Sequence, residues 1–376
     1  MREKSKKIDF IPLCVPDIRG NAIEAVSNAI KENWVSSAAP GVEIFENSIA
    51  QIASSKFALA TINGSAALHL ALATLGIGKG SKVIVPDLTF VATVNAVIMS
   101  GATPIFVDVN DYSWTLDTKL TEEAIKMYKP DAIIVVHTLG HPAEMDELKN
   151  ICSINKIFLI EDAAGAIGSN YKEQIVGSLG DAGIYSFNGN KTFTTGGGGA
   201  LLLQSKKYEK KAKLLYRQAR IDNEYSYSQI GFNYRMPNIN AALGLAQLEY
   251  LPDLIECKKN IALLYDNAFK GLQNIKLMPR LEWGESSCWL YSIKTFSKKS
   301  SLSLIKFLKD KNIESKLFWN ALSIQSPYKN FSNLLQGNSL KFSGSIVSIP
   351  CSTSLKDKEQ VRVIEALIEW DNYEKT

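Results

Sequence analysis

Seven short apolar runs punctuate the first half of the chain: FALATI (57–62), KVIVP (82–86), TPIFVDV (103–109), AIIVV (132–136), IFLIED (157–162), GIYSF (183–187) and ALLLQ (200–204). Most are continuous rather than alternating, the pattern of strands covered on both faces. Between several of them lie helix-like stretches. SAALHLALATLG stops at Gly76, FVATVNAVIMSG stops at Gly101, and AEMDELKNICSINK keeps helical spacing. This alternation predicts an α/β fold, a largely parallel sheet with helices on both faces. Only a glycine-rich stretch separates the last two runs. That is too short for a parallel crossover, so an antiparallel pair is expected there.

After about residue 250 the texture changes. LPDLIECKKNIALLYDNAFKGL reads as a long helix opened by Pro252, CWLYSIKTF (288–296) as a strand, and the regions near 302–311 and 356–370 as helices. At 376 residues the chain is long for a single core. Two domains are expected: a large one over 1–250 and a smaller α+β one over 251–376, on which the N-terminal segment is free to pack. The 42 basic and 38 acidic residues nearly balance. They give no electrostatic case for nucleic acid or a membrane surface, and REKSKK and KKYEKK read as solvated runs. No stretch approaches the ~18 apolar residues of a membrane span, and IDFIPLCVPDIRG breaks any signal-like run. The five cysteines form no CxxC pair, which points to free thiols, no metal site and a cytoplasmic setting.

The chemistry centres on SFNGNKTFTTGGGGA (186–200), where Lys191 stands among small residues before four glycines. A lysine whose pKa is lowered is a nucleophile toward carbonyls, and the carbonyl cofactor that fits is pyridoxal phosphate. Such a site needs an anion at the ring nitrogen, a phosphate cradle and a flat neighbour. Each is available just past an expected strand, where open α/β sheets place ligands. Asp162 in IFLIEDAAGAIGS supplies the anion; Glu161 beside it points to the opposite face, so only one of the two can serve. Read alone, Asp162 would be a helix cap. Ala164 is small enough to lie on a ring face. Asn63-Gly64-Ser65 opens a helix, a ready anion site, and Ser186 adds a hydroxyl. Phe90 in VPDLTFVATVNAV is the stacking candidate, although a lone Phe is more often core. The glycines would let the backbone turn sharply and approach cofactor and partner strand closely.

Together these motifs resemble the DegT/DnrJ/EryC1/StrS family of pyridoxal-phosphate sugar aminotransferases, nearly end to end. NGSAALHLALATLGIGKGSKVIVPDLTFVATVNAVIMSGATPIFVDV, IEDAAGAIGS, GDAGIYSFNGNK, GGGGA and GFNYRMPNINAALGLAQLEYL follow in family order. The resemblance implies a fold-type-I enzyme with a large seven-stranded domain and a small C-terminal domain. It assigns Lys191 as the Schiff-base lysine and proton shuttle and Asp162 as the partner of the ring nitrogen. It also assigns Gly64, Ser65 and Ser186 to the phosphate, Phe90 to the ring, and Asn233 to the phosphate of the neighbouring subunit in a homodimer. FNGNKTFTTGGGG resembles the subgroup acting at C4 of UDP-linked 4-keto-6-deoxy-N-acetylhexosamines for surface glycans, with L-glutamate as donor.

The chain departs from the pattern at several positions. Gly165 stands where the family commonly has Gln, Glu or His. In NIESKLFWNALSIQSPY, a segment expected with Trp319 at the substrate, Lys316 replaces an Arg, Leu317 a Pro and Ser323 a His; Ala39 replaces a Gly. Lysine lacks the bidentate fork of arginine. Two other readings remain: a dehydratase on the same scaffold, against which Lys191 argues because related dehydratases carry histidine there, and a non-enzymatic sensor or partner-binding protein. No GxGxxG follows the first strand, which disfavours a nicotinamide enzyme.

Overall fold

The computed structural model describes residues 9–221 and 225–374, so the basic run REKSKK lies outside the described residues. Five strands come first: β1 (Phe57–Thr61), β2 (Lys82–Pro86), β3 (Thr103–Val107), β4 (Ala132–Val136) and β5 (Phe158–Asp162). A short ribbon follows, β6 (Asn170–Tyr171) and β7 (Gln174–Ile175), and then β8 (Ala182–Ser186) and β9 (Gly199–Leu203). The seven expected runs therefore all form strands. They pair in the order β1-β9-β8-β5-β4-β2-β3, and β9 alone runs against its neighbours. In the β8–β9 pair Ser186 faces Gly199, the antiparallel join that the missing crossover required.

Among the described residues the sheet has eight strands, one more than the seven expected. The C-terminal half supplies β10 (Ile275–Leu277), β11 (Gly284–Glu285), β12 (Tyr291–Thr295) and β13 (Lys316–Leu317). It then sends β14 (Asn333–Leu334) back to the edge of the large sheet, parallel to β3, before β15 (Ile346–Ile349). Two residues of which one is Asn carry no apolar run for a sequence reading to find. Strands β10, β12, β15 and β13 form a separate four-stranded antiparallel sheet.

Helices cover both faces of the large sheet. Among them are α1 (Ala22–Lys31), α2 (Gly41–Ile52), α3 (Gly64–Leu75) and α4 (Val91–Met99). Helix α3 is almost wholly buried, as its unbroken Ala/Leu sequence demands. It ends at Gly76, whose φ of 85° completes a left-handed cap. One core lies on each face of the sheet, around Phe45, Phe187 and Phe193 on one side and Leu68, Leu72 and Tyr216 on the other. A third core joins Tyr265, Tyr291, Leu304 and Trp370 of the C-terminal half to Ile11 near the start. Ile11 bridges Ile313, and Leu13 O accepts from Cys351 N. No helix among the described residues is long and apolar enough to cross a membrane.

Candidate active site

A cavity of about 580 Å³ opens at the ends of the central strands and is closed from above by the C-terminal half. At one end the backbone leaves β1 and turns at Asn63 into α3. Asn63 is extended, with φ −169° and ψ 170°, and its Oδ1 accepts from Ala66 N at 2.8 Å, an N-cap that fixes the first turn. The first amides of α3, at Gly64 and Ser65, thus open toward the cavity, where Ser186 also lies. The glycines have local causes. A Cβ on Gly64 would meet Ser186 Cβ at 3.0 Å, and one on Gly199 would meet Asn63 C and Gly64 N at 2.7 Å. Residue 199 therefore lies directly against the helix-opening turn and has to lack a side chain. Gly196 has φ 78°, the left-handed region that glycine adopts without strain.

At the cavity floor Asp162 ends β5. Its Oδ2 accepts from Thr93 Oγ1 at 2.7 Å and its Oδ1 from Ala164 N at 3.2 Å. Burial pushes this carboxyl above the ordinary range, opposed by Thr93, the Ala164 amide and Lys191. Glu161 faces the other way and is spent structurally. Its carboxylate accepts from Gly177 N, Leu179 N and Gly180 N, and lies 3.0 Å from His137 Nε2. The alternation of the strand decides between the two acids, as the sequence implied.

Lys191 follows β8 in a turn closed by Lys191 N donating to Asn188 O at 2.9 Å. Its amine is partly accessible within the cavity but deep in the protein. Burial lowers its pKa from 10.5 to about 7, against the attraction of Asp162 and Cys14. Such a group is a free amine in a large fraction of molecules at neutral pH. Nζ lies 3.3 Å from the centre of the Trp289 ring. Ala164 and Phe90 also line the cavity. Phe90 is the N-cap residue of α4 and about half exposed, so it is not core; its ring centre lies 5.8 Å from that of Trp319.

The upper wall comes from the C-terminal half. Lys316 is exposed there and pairs with Glu314 at 2.9 Å, while Glu314 Oε2 accepts from Leu13 N at 2.8 Å. Trp319 packs against Phe318 with ring centres 4.2 Å apart and planes tilted by 31°. Ser323 is buried beside the large sheet, its Oγ donating to Asp87 Oδ2 at 2.9 Å and its amide to Oδ1 at 2.7 Å. Asn233 is exposed and is not brought to the cavity by its own chain. The sequence reading missed Thr93, Glu314, Cys14 and Trp289. Thr93, one turn into the helix after Phe90, was within reach of motif reading; the other three join the site only through the tertiary fold.

The residues present fit pyridoxal phosphate. A helix N-terminus with two hydroxyls suits a phosphate, a buried carboxyl suits a ring nitrogen, and a lysine of lowered pKa suits the aldehyde. The chain matches the model of the DegT/DnrJ/EryC1/StrS aminotransferase family over residues 16–368. It is 34% identical to the GDP-perosamine synthase of Escherichia coli O157:H7, over 96% of this chain and 98% of that protein. It is 30% identical to the spore coat polysaccharide biosynthesis protein SpsC of Bacillus subtilis (strain 168), over 96% and 97%. Among solved structures, S. venezuelae DesV in complex with a ketimine intermediate superposes with a TM-score of 0.90 at 27% identity, over 96% of this chain and 98% of that one.

Proposed function

Since the chain belongs to the DegT/DnrJ/EryC1/StrS aminotransferase family, a family of pyridoxal-phosphate sugar aminotransferases, we propose that it moves an amino group from L-glutamate to C4 of a UDP-linked 4-keto-6-deoxy-N-acetylhexosamine. The observation that carries the reading is the convergence of Lys191, Asp162 and the N-terminus of α3 on one cavity. When bound, the cofactor supplies an electron sink for the bond-breaking at the substrate carbon. In this reading Gly64, Ser65 and Ser186 hold its phosphate, Asp162 its ring nitrogen, and Phe90 and Ala164 flank its ring. Lys191 holds it covalently and, through Nζ, takes and returns a proton at the substrate carbon. Thr93 fixes the Asp162 carboxyl by its 2.7 Å hydrogen bond. Lys316 and Trp319, on the upper wall, contact the nucleotide sugar. Asn233 serves the partner's site in a homodimer.

Likeness to a GDP-perosamine synthase at 34% identity favours a GDP-linked keto sugar as the second reading. Incubation with L-glutamate and UDP-, GDP- and dTDP-linked keto sugars, read by mass spectrometry, tests both. The expected result is the mass change of a keto-to-amine exchange with the UDP sugar. A dehydrated product, or no turnover of any sugar by cofactor-loaded protein, would overturn the reading.

A further inference from the structure

Gly165, one of the departures from the family pattern, lies where the structure leaves no room for a side chain. A Cβ at residue 165 would lie 2.4 Å from Trp289 Cε3 and 3.0 Å from Cδ2. These are ring atoms of a buried indole rather than the loose end of a flexible chain. The indole occupies the space into which any side chain at 165 would grow.

The ring is held on several sides. Trp289 Nε1 donates to Asn190 O at 2.7 Å, which ties it to the residue preceding Lys191. Trp289 O accepts from the buried Lys258 Nζ at 2.9 Å. The preceding residue, Cys288, has φ 55°, a backbone state that a non-glycine residue holds only under constraint. The constraint is visible: Ser287 N donates to Ser169 Oγ at 2.9 Å, and Ser169 Oγ donates to Gly140 O at 2.7 Å. Gly140 is packed so tightly here that a Cβ would meet Cys288 N and Gly165 O at 3.2 Å. Three backbone segments are thus clamped together, and the clamp aims one indole face at the Lys191 amine, 3.3 Å from the ring centre.

We propose that Trp289 is a positioning residue of the reaction, its indole giving the free Lys191 amine a water-poor resting place, and that residue 165 is glycine in order to admit that ring. A cation over an indole face is attracted to it, most strongly where water is excluded. The same ring keeps water from the amine, which opposes that attraction and, as the larger of the two effects at this buried amine, favours the uncharged, proton-accepting form. A polar side chain at 165 would bring a hydrogen-bonding group to the amine; here an aromatic face takes its place. The inference rests on the role given to Lys191 in the proposed function.

The test follows covalent capture of pyridoxal phosphate by cofactor-free protein, by absorbance, as a function of pH. Borohydride reduction and peptide mapping first establish the site in the wild type. Without an adduct on Lys191 the functional reading itself fails; with one, only the indole is in question. Trp289→Ala is expected to raise the midpoint of the capture profile by roughly half a unit or more as water reaches the amine. It is also expected to lower kcat roughly tenfold with little change in KM. Trp289→Phe restores both to near wild type. Should Trp289→Ala not fold, Trp289→Leu is read in the same titration and shows a smaller shift in the same direction. Gly165→Gln alone lowers Tm and cofactor occupancy, and Gly165→Gln/Trp289→Ala recovers most of that loss because the ring is gone. A midpoint unchanged in the alanine and leucine variants, or a double variant that loses the sum of the two single losses, overturns the proposal.

Discussion

A single burial decides how Lys191 behaves. Its pKa falls from 10.5 to about 7 because the cavity disfavours its charged form. The unfolded chain therefore binds a proton between pH 7 and 10.5 that the folded, cofactor-free protein does not. Stability contributed at this site is lowest below about pH 7 and rises through that window as the unfolded lysine also loses its proton. Lys191→Met removes the burden. The variant is expected to exceed the wild type in Tm at pH 7 and to converge with it near pH 10; parallel curves at the two pH values would count against the shift. Under the proposed function the same residue is also required for activity. Lys191→Ala is expected to show no adduct after borohydride reduction and no detectable amination, whereas wild-type turnover in that variant would end the assignment. Much of this was legible from residues alone. Lys191 stood out among small residues before four glycines, Asp162 at the end of an expected strand, and strand parity predicted that only one of Glu161 and Asp162 could face the site. Trp289 was not legible. It sat inside an apparent strand, and its contacts with Gly165 and Lys191 exist only once distant segments meet.

At the level of elements, the run of four glycines separates into positions with different duties. Gly199 in β9 lies against the backbone of the Asn63–Gly64 turn, whereas an added Cβ at Gly197 meets nothing within 4 Å. Gly199→Ala is expected to push the opening of α3 outward, costing about 1–3 kcal/mol in urea unfolding. It should also weaken cofactor affinity roughly tenfold, because the anion-binding amides move with the turn. Gly197→Ala is the control and is expected to leave affinity unchanged. Equal effects of the two would show that the glycines act through chain flexibility instead. The strands themselves were readable because burial on both faces leaves an unmixed apolar run, and the absence of a crossover announced the β8–β9 reversal. The eighth strand, β14, is held by its edge position beside β3 rather than by its own side chains, so no pattern marked it.

Across the whole molecule, polar contacts bind the C-terminal half to the large sheet. Asp108, just past β3, accepts from the amides of Gln336, Gly337, Asn338 and Ser339 at 2.7–3.0 Å, and from Ser339 Oγ. Asp108→Ala would leave the buried Ser339 donors, and the partly buried amides beside them, without their acceptor. A loss of about 2–3 kcal/mol is expected in urea unfolding, from the lost charge-assisted hydrogen bonds that tie this segment to the sheet. An unchanged urea midpoint would refute that coupling. Such joins were invisible beforehand, since Asp108 was only one polar residue within the expected strand TPIFVDV and nothing in the sequence marked its partners. The pairing of Ile11 with Ile313 and of Leu13 with Cys351 has its own consequence. During synthesis the segment around Ile11 and Leu13 is made long before Ile313 and Cys351, and it lacks these docking partners until both have emerged. Non-local contacts of this span form late, so the part of the cavity wall that Leu13 and Cys14 supply waits for the arrival of these distant partners.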